Sequence, residues 1–411
     1  MPSKPNDTRF MQQALELASR GIAMASPNPR VGAVLVSPEG KIVGRGTHTY
    51  DGVKHAEVLA IEAAGERAHG ATLYLNLEPC SHVGRTGPCA DAIIAAGIKK
   101  VVIAMRDPNP VVAGRGVARL QAAGIEVNEG LYEPEARKLN EAFAKYIRYK
   151  TPFVTLKTAM TLDGKIAPPP SDGVETGAMG SLASSGGWIT SEVARAHVHE
   201  MRHANDAIMV GVGTIIADNP LLTDRTGLPR RRPLLRVILD SRLRLPLDSR
   251  VVRTANYDVI VFCCFAEEHK RQELEAHGIM VEQVPMRQPL EDGTIPFPSG
   301  ATASNGRPDL ERVMGRLGER EITSLIIEGG AMVNWAALSA EIVDKIFFYY
   351  APKIIAGTAS IPLALGTGYR RMSEAAYVRS LTLHRFGEDF AVEGYLRDPY
   401  GDVIHAVPQN S

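Results

Sequence analysis

Cysteine is scarce in this 411-residue sequence, and neither sign of charge is in excess. Only 4 cysteines occur, too few for a disulfide framework in a chain of this length. We therefore expect reduced thiols and a cytoplasmic location. The 46 lysines and arginines balance the 46 aspartates and glutamates, so the formal net charge is zero. That balance argues against a general nucleic-acid-binding protein, because such proteins carry a basic surface.

Long apolar runs are also missing. No stretch is long enough to span a bilayer, and the first residues, MPSKPNDTRF, lack the apolar core of a secretory signal. We expect neither membrane insertion nor export. The sequence does have 45% hydrophobic and 22% charged residues, which is enough to build packed cores. Its length predicts more than one domain.

Helix and strand patterns alternate along the first part of the chain. Helical patterns cover residues 7–20, about 55 onwards, 88–97, 116–123 and 133–148, and strand patterns cover 31–36, 41–45, 71–77, 100–104 and 125–127. The first two strands flank Ser-Pro-Glu-Gly and predict a hairpin. The alternation that follows predicts a sheet covered on both faces, with its later strands parallel.

The pattern restarts after the Thr-Pro dipeptide at 151–152, so we place the boundary between domains 1–148 and 149–411. The second part again mixes strands and helices. Its predicted strands cover residues 153–157, 207–210, 235–239, 258–262, 324–327 and 345–350, with a final hairpin over 377–397. Residues 167–187 and 283–307 are expected to be irregular. The prediction is an α/β protein with two αβα domains.

His55 and Glu57 lie two positions apart at the expected start of a helix, and Cys80 and Cys89 follow later in the chain. One imidazole nitrogen and two thiolates suit zinc, and they leave a fourth tetrahedral position open for water. We expect both cysteines to lie near helix N-termini, where the helix dipole favours the thiolate form.

Glu57 has a separate role in this interpretation. On a helix, residues two apart do not share a face, so Glu57 need not bind the metal that His55 binds. It can instead move a proton from a metal-activated water to a leaving amine. Zinc deaminases share this order of residues, H-x-E followed by two cysteines. Their cysteines are usually separated by two residues, whereas here positions 81–88, eight residues, separate them.

Simpler explanations exist for each of these residues. A histidine and a glutamate on a helix are commonly just solvated, and free cysteines are commonly buried core residues. His82 could complete a four-ligand structural zinc site. The four residues together, in this order and in an αβα context, favour a catalytic metal.

Five short motifs carry a resemblance to a known family. They are PNPRVG at 27–32, HAE at 55–57, EPCSH at 78–82, GRT at 84–86 and DPNP at 107–110. With them the sequence resembles the bifunctional riboflavin-biosynthesis deaminase–reductases over nearly its whole length. The wide cysteine spacing agrees with that family. The resemblance implies a cytidine-deaminase-like domain followed by a dihydrofolate-reductase-like domain.

For the first domain the resemblance implies zinc-dependent hydrolysis of the 2-amino group of 2,5-diamino-6-(5-phosphoribosylamino)pyrimidin-4(3H)-one. His55, Cys80 and Cys89 would then hold zinc, and Glu57 would be the catalytic proton carrier. By the same resemblance the pyrimidine would be contacted by two further residues, Asn28 and His48. His82 and Arg85 would meet the substrate phosphate or would only be solvated loop residues.

Two strand-to-glycine turns stand out in the second domain. They are MVGVGT at 209–214 and IIEGGA at 326–331. Glycine permits close backbone approach, and a following helix N-terminus offers N–H groups to a pyrophosphate. Such turns are individually weak signals, and no G-x-G-x-x-G dinucleotide fingerprint is present.

The resemblance implies that the second domain reduces the ribosyl chain to ribityl with NADPH. Arg202 and Arg225 would hold the substrate phosphate, while Lys157 and Glu328 would lie near the ribose. The implied substrate-binding residues are Lys157, Gly186, Arg202, Leu222, Arg225 and Glu328. The implied cofactor-binding residues are Ala159, Trp188, Thr214, Asp218, Ser241, Gly330, Ala331, Met332, Val333, Asn334, Trp335 and Ala336.

Residues 167–187 look longer than the link that the resemblance implies, and we expect them to approach the NADPH site. Cys263 and Cys264 lie in an apolar strand and are expected in the core. We expect a small phosphorylated pyrimidine as substrate, no nucleic-acid or membrane partner, and a homo-oligomer. Two other functions are weighed against this one: a zinc deaminase of another base or of nucleic acid with a non-catalytic second domain, and a zinc-stabilised nucleotide-binding protein without catalysis.

Overall fold

The structure of the chain is a computed structural model that describes residues 5–81, 87–169, 188–287 and 306–401. The chain forms two compact units. One runs to Lys150 and includes Pro229–Arg232, and the other contains Thr151–Leu228 and the chain from Pro233 onwards. The sequence also predicts that residues 1–148 and 149–411 each have their own activity, and that assignment stays a prediction.

The first unit contains a mixed sheet in its described residues. Its strands are β1 Gly32–Val36, β2 Ile42–Thr47, β3 Thr72–Leu77, β4 Lys100–Met105 and β5 Glu126–Glu129. Their order is β2-β1-β3-β4-β5, with β1 antiparallel to both neighbours and β3, β4 and β5 parallel. The predicted hairpin and the predicted parallel later strands are both confirmed. Strand β1 is buried along its whole length, which explains why its sequence is continuously apolar.

Helices cover this sheet. They are α1 Pro5–Ser19, α2 Ala56–Ala64, α3 Cys89–Ala95, α4 Arg115–Ala122 and α5 Glu133–Tyr149, with a 3-10 turn at Gly65–Ala68. Helix α2 lies unusually close to β2 because β2 has glycines where the two meet. A Cβ added at Gly46 would lie 2.0 Å from the Ala56 carbonyl oxygen, and one at Gly44 would lie 2.0 Å from that of Ala60. These glycines fix the position of the helix that begins beside His55.

The second unit contains a larger sheet and a two-stranded ribbon in its described residues. The strands are β6 Phe153–Thr161, β7 Lys165–Ala167, β8 Ala207–Gly211, β9 Leu235–Leu239, β10 Val259–Cys263, β11 Ile279–Gln283, β12 Ser324–Ile327, β13 Lys345–Ala351, β14 Ile361–Pro362, β15 Arg379–Phe386 and β16 Asp389–Tyr395. The large sheet has the order β11-β10-β9-β8-β12-β6-β13-β16-β15, and β14 pairs with β7. Strands β6 and β8–β13 are parallel, while β16 and β15 add an antiparallel edge.

Two predicted boundaries in this unit were wrong. Ala167 and Gln283 were expected to begin irregular segments, but each ends a strand, β7 and β11 respectively. Both strands are short, and their pairing partners are not apparent from local sequence. The remainder of the predicted 167–187 segment, from 170 onwards, lies outside the described residues, as do residues 288–305.

Helices pack on both faces of the large sheet. They are α6 Glu192–Ala204, α7 Val212–Asp218, α8 Arg250–Arg253, α9 Glu268–Ala276, α10 Leu310–Glu319 and α11 Ala331–Ser339. Successive strand residues point to opposite faces, so Val237 belongs to one apolar cluster and Ile238 to the other. The two αβα domains expected from the sequence are confirmed in this arrangement. Cys263 lies in the core as predicted, whereas Cys264 is only partly buried.

No helix in the described parts of the chain is both long and apolar enough to cross a membrane.

Candidate active sites

Three different elements bring His55, Cys80 and Cys89 together in the first unit. His55 is the residue that precedes α2, Cys80 lies in the loop after β3, and Cys89 is the first residue of α3. Their possible ligand atoms all lie within 4.8 Å of one another. The His55 Nδ1 atom is 3.0 Å from the Cys89 Sγ and 3.6 Å from the Cys80 Sγ. Tetrahedral zinc ligands lie roughly 3–4 Å apart, so this spacing fits the ion.

The electrostatics of the cluster also suit a cation. The hydrogen bond from Cys89 is the main reason that the pKa of Cys80 falls to about 4, and that bond raises the pKa of Cys89 in turn. The hydrogen bond to Cys80 raises the pKa of His55. One negative charge is therefore already stabilised between the two sulfurs, which is the form that binds metal.

Both cysteines lie near the N-terminus of α3, as expected, but in different ways. Cys89 is the first residue of the helix, while Cys80 lies in a loop beside it. The helix nonetheless acts on both cysteines, because the backbone N–H of Cys89 donates to the Cys80 Sγ at 3.3 Å. His82, which sequence reasoning allowed as a fourth ligand, lies outside the described residues, as does Arg85.

Glu57 lies beside the cluster, in the first turn of α2, and is only 3% exposed. Burial is the main reason that its pKa is raised. Its Oε2 atom is buried and finds no hydrogen-bond partner among the residues that the structure describes. An unpaired buried carboxylate oxygen is costly, so its presence beside three metal-capable atoms points to a group that binds there. A raised pKa also suits a carboxyl that must take up and release a proton.

Asn28 and His48 lie next to this cluster and to each other. The Asn28 Nδ2 atom is 2.9 Å from the His48 Nε2, and the His48 Nδ1 is 3.0 Å from the Lys54 carbonyl oxygen. Because a carbonyl can only accept, Nδ1 carries the proton and Nε2 accepts from the amide. The ring centroids of His48 and His55 are 5.2 Å apart. The structure thus brings the two predicted pyrimidine-binding residues to the edge of the predicted metal site.

Sequence reasoning missed the polar residues that hold this site in place. Buried Glu78 accepts three backbone N–H groups, from Asp107 at 3.1 Å, Gly114 at 2.9 Å and Val117 at 3.1 Å. It ties the loop before Cys80 to the loop and helix that follow β4. The EPC motif contained this residue, but its three partners come from distant sequence, so no local signal could identify its role.

Asparagines do the same for the loop that contains Asn28. The Asn76 Oδ1 accepts from Gly32 N at 2.8 Å, and its Nδ2 donates to the Arg30 carbonyl at 2.9 Å. The Asn140 Oδ1 accepts from Arg30 N at 2.8 Å. Both asparagines are buried, so these bonds are protected from water.

In the second unit the two predicted glycine turns lie side by side at the carboxyl ends of β8 and β12. Glu328, just past β12, donates its backbone N–H to the Met209 carbonyl in β8 at 3.0 Å. A Cβ added at Gly211 or Gly329 would lie 2.9 Å or 2.6 Å from atoms of Val333. The glycines therefore allow the first turn of α11 to approach both strands. Carboxyl ends of parallel strands are the usual place for ligands in such sheets.

A buried ion network lies at the same edge of the sheet. The Arg202 Nε and Nη2 donate to the two Glu328 carboxylate oxygens at 2.6 and 2.9 Å, and the Lys157 Nζ lies 3.4 Å from the Oε2. Burial by itself raises the pKa of Glu328, but the charges of Arg202 and Lys157 outweigh it and bring the value to about 2. Burial lowers the pKa of Lys157.

The other predicted substrate residues of this unit lie on one loop. Leu222 and Arg225 both have positive φ, 57° and 56°, and Leu222 is buried. Arg202 Nη1 donates to the Thr223 carbonyl at 3.0 Å, which joins this loop to the ion network. In this structure the guanidinium of Arg202 is thus already engaged by Glu328 and Thr223. Gly186 lies outside the described residues.

Several predicted cofactor residues come to this same edge of the sheet. Ala159 is in the carboxyl half of β6, Thr214 is in α7 after β8, Ser241 follows β9, and Gly330 caps α11 after β12. The Ser241 carbonyl accepts the N–H groups of Cys264 and Phe265. Asp218 is the last residue of α7 and is exposed.

The predicted run from Ala331 to Ala336 divides into two groups. Met332 and Val333 are partly exposed, as the residues near a helix N-terminus can be. Asn334 and Trp335 are instead buried in the protein, where the Asn334 Nδ2 donates to the Leu363 carbonyl at 2.7 Å and the Trp335 ring meets that of Tyr369 at 5.3 Å. The side chains of Ala331 and Ala336 are buried as well. Trp188 is 59% exposed, and the Arg195 guanidinium lies 4.8 Å from its ring.

Comparison with known proteins gives the same two-part division. Residues 4–105 match the family model of the cytidine and deoxycytidylate deaminase zinc-binding region, and residues 152–391 match that of the RibD C-terminal domain. The riboflavin biosynthesis protein RibD of Actinobacillus pleuropneumoniae is 40% identical over 395 residues, which cover 96% of each chain.

Solved structures agree over almost the whole length. Acinetobacter baumannii RibD superposes with a TM-score of 0.76 at 34% identity, covering 95% of this chain and 98% of that one. The Thermotoga maritima diaminohydroxyphosphoribosylaminopyrimidine deaminase/5-amino-6-(5-phosphoribosylamino)uracil reductase superposes with a TM-score of 0.74 at 36% identity, with the same coverage.

These matches confirm the family resemblance and argue against the two alternative functions, a deaminase with a non-catalytic second domain and a non-enzymatic zinc protein. The chain belongs to the RibD family of bifunctional riboflavin-biosynthesis enzymes, in which a zinc-binding deaminase domain is followed by an NADPH-dependent reductase domain.

Proposed function

We propose that the chain releases the 2-amino group of 2,5-diamino-6-(5-phosphoribosylamino)pyrimidin-4(3H)-one as ammonia and then reduces the ribosyl arm to ribityl with NADPH. The first reaction is assigned to residues 1–148 and the second to 149–411. The observation that carries this proposal is the buried, unpartnered Glu57 oxygen beside the ligand atoms of His55, Cys80 and Cys89. That arrangement supplies a metal site and a proton carrier as two separate parts.

His55, Cys80 and Cys89 are the proposed zinc-binding residues. They would hold a zinc ion, which would supply the Lewis acidity that makes water nucleophilic near neutral pH. Glu57 is proposed to accept the proton that this water loses and to donate it to the leaving amine. Its buried position supports this role, because burial raises the pKa of Glu57 and so brings proton uptake closer to neutral pH.

Asn28 and His48 are proposed to contact the pyrimidine. The amide of Asn28 offers both a donor and an acceptor, which matches the mixed hydrogen-bonding edge of a pyrimidinone. Its bond to His48, and the bond from His48 to the Lys54 carbonyl, orient both side chains before a substrate arrives. Such orientation lowers the entropy that is lost when a substrate binds.

In the second unit, NADPH is proposed to bind where the glycine turns after β8 and β12 meet the N-terminus of α11. Close backbone approach at Gly211 and Gly329 supports this placement. Lys157 and Glu328 are proposed to meet the ribose, and Arg202 and Arg225 the phosphate. The ion network of Arg202, Glu328 and Lys157 supports the first pair, since it orients both groups at the carboxyl edge of the sheet.

The proposed assembly and location follow from the surface and from the cysteines. We infer a homo-oligomer, which is supported by exposed apolar side chains on or next to the edge strand β15: Tyr377 at 63%, Leu381 at 62% and Leu383 at 74% exposure. Such a cluster is typical of a surface that another protein covers. We infer a cytoplasmic location from the cysteines, all four of which are free thiols.

Glu57→Gln tests the deaminase assignment. Wild-type protein given the diaminopyrimidinone phosphate should release ammonia, and NADPH oxidation should follow. Glu57→Gln should retain zinc but lose ammonia release by about 1000-fold or more, because the amide cannot carry the proton. Glu62→Gln is the matched control, since Glu62 lies on the same helix but is 50% exposed and pairs with Lys54.

The reductase provides an internal reference in the same protein. When the deaminated intermediate is supplied directly, Glu57→Gln should oxidise NADPH at the wild-type rate. Undiminished ammonia release by zinc-loaded Glu57→Gln would refute its role. Ammonia release from cytosine nucleosides or single-stranded DNA, and none from the diaminopyrimidinone, would refute the proposed substrate.

A further inference from the structure

A four-residue segment from the second half of the chain packs into the first unit. Pro229–Arg232 belongs to the compact unit that otherwise ends at Lys150. The Arg231 backbone N–H donates to the Ala23 carbonyl at 3.0 Å, and the Arg231 Nη1 donates to the Ser26 carbonyl at 2.9 Å. The Arg232 Nη2 donates to the Ser26 Oγ at 3.1 Å. Both arginines therefore hold the loop that leads to Asn28.

Arg231 also contacts a second segment of the first unit. Its guanidinium carbon lies 3.6 Å from the centroid of the Tyr50 ring, and its Nε lies 3.6 Å from the Asp51 carboxylate. Because Asp51 is 71% exposed, that ion pair contributes little, whereas the close contact with the ring contributes more. Only 18% of the Arg231 side chain is exposed.

The two segments that Arg231 joins each contain a proposed pyrimidine-binding residue. Ser26 precedes Asn28 by two positions, and Tyr50 follows His48 by two positions. The segments also contact each other, because Tyr50 N donates to the Met24 carbonyl at 3.0 Å. A single side chain is thus bonded to one segment and stacked on the other, close to the 2.9 Å contact between Asn28 and His48.

We propose that Arg231 is a positioning residue of the deaminase site. It holds residues 23–28 against residues 48–51 and so sets the geometry in which Asn28 and His48 meet the substrate. This inference rests on the proposed function of those two residues. It adds a residue from far along the chain, outside the stretch that matches the deaminase family model, to the machinery of the first reaction.

The chemistry of the contact requires an arginine. Residues 23–31 form no strand, so no ladder of strand pairing holds them, and side-chain bonds add to the few backbone bonds that they make. A planar guanidinium can donate to a carbonyl in its own plane while its face stacks on an aromatic ring. A lysine ammonium could keep the attraction to Tyr50 and Asp51 but would not combine the stack with an in-plane bond to Ser26.

Arg231→Ala and Arg231→Lys test the proposal, with Arg253→Ala as the control. Arg253 is an exposed arginine of α8 in the second unit. Deamination should show a KM about tenfold higher in Arg231→Ala and about threefold higher in Arg231→Lys, with kcat within about threefold of wild type. Zinc content, and NADPH oxidation with supplied intermediate, should be unchanged. If Arg231 were needed only for folding, Arg231→Ala would instead lower kcat, zinc content and the free energy of unfolding together.

Hydrogen exchange provides a readout that does not depend on the substrate. The backbone N–H groups of residues 23–26, of Asn28 and of Tyr50 should exchange faster in Arg231→Ala, while those of β3 should not change. Arg253→Ala should match wild type in both regions. If wild-type protein releases no ammonia, the proposed function fails, and the exchange result alone decides whether Arg231 holds the loop.

Two results would overturn the inference. One is a zinc-loaded Arg231→Ala enzyme with KM within twofold of wild type, and the other is unchanged exchange over residues 23–28. If Arg231→Ala loses zinc or folds poorly, Arg231→Lys decides: a fully loaded variant with wild-type KM and exchange excludes the positioning role.

Discussion

Glu328→Gln is predicted to destabilise the second unit strongly. The Glu328 carboxylate contacts both Arg202 and Lys157, and the side chains of all three are at most 15% exposed. Neutralising it removes the negative charge that both buried cations contact, and breaking a buried ion pair in this way typically costs about 3–5 kcal/mol of unfolding free energy. For a unit of this size that corresponds to a fall in Tm of roughly 6–20 °C.

The pKa of Glu328 gives a second measure of the same interaction. The two neighbouring cations lower the pKa of Glu328 from its ordinary value of 4.5 to about 2. At roughly 1.4 kcal/mol per pH unit, the difference is worth about 3 kcal/mol, in agreement with the mutational estimate. Because the folded pKa is depressed, this stabilisation is present above about pH 4.5 and is lost as the pH falls towards 2. The variant should lack that part of the acid dependence.

Thermal and urea unfolding, followed at pH 7 and between pH 5 and 2, would measure these effects. NADPH oxidation with supplied intermediate should be lost, while ammonia release should persist and report that the first unit is intact. Glu275→Gln is the matched control, since Glu275 pairs with Arg271 on the same unit but both side chains are 41% exposed. That control should change stability by less than about 1 kcal/mol. A loss below 1 kcal/mol in Glu328→Gln, with more than half of the reductase activity retained, would refute the reasoning.

Three further predictions concern the first unit. Removing zinc with a chelator should abolish ammonia release and leave NADPH oxidation of supplied intermediate intact. In calorimetry the free energy of unfolding should be about 4 kcal/mol lower than that of protein with free zinc at about 1000 times its Kd. In urea unfolding, Gly46→Ala should cost about 1–3 kcal/mol, and it should lower zinc retention, because the added Cβ would meet the Ala56 carbonyl oxygen at 2.0 Å. The control is Gly315→Ala, in a helix with open space around it, which should be neutral or stabilising by up to about 1 kcal/mol. Glu78→Ala should cost about 3 kcal/mol or more, because it leaves three backbone N–H groups without their acceptor; a native urea midpoint would contradict this.

The grouping of His55, Cys80 and Cys89 could be expected from the sequence because the residue types and their order are distinctive. His55 and Glu57 are neighbours in sequence, and the type and order of Cys80 and Cys89 restrict the metal. The central strands of the first sheet could be predicted equally well, since β1 and β4 are apolar along nearly their whole length. Short strands such as β7 and β11 were missed because their stability comes from pairing partners and not from their own residues.

The sequence by itself determined the αβα layering and the residue types of the candidate site, a histidine, two cysteines and a separate carboxylate, because these depend on residue identity and on local spacing. The tertiary structure alone decided which polar groups meet across long separations. Glu328 is joined to Arg202 and Lys157, Glu78 to the loop after β4, and Arg231 to Ser26. Such contacts leave no local pattern, because the entropy of closing a long loop is offset only when the whole fold forms.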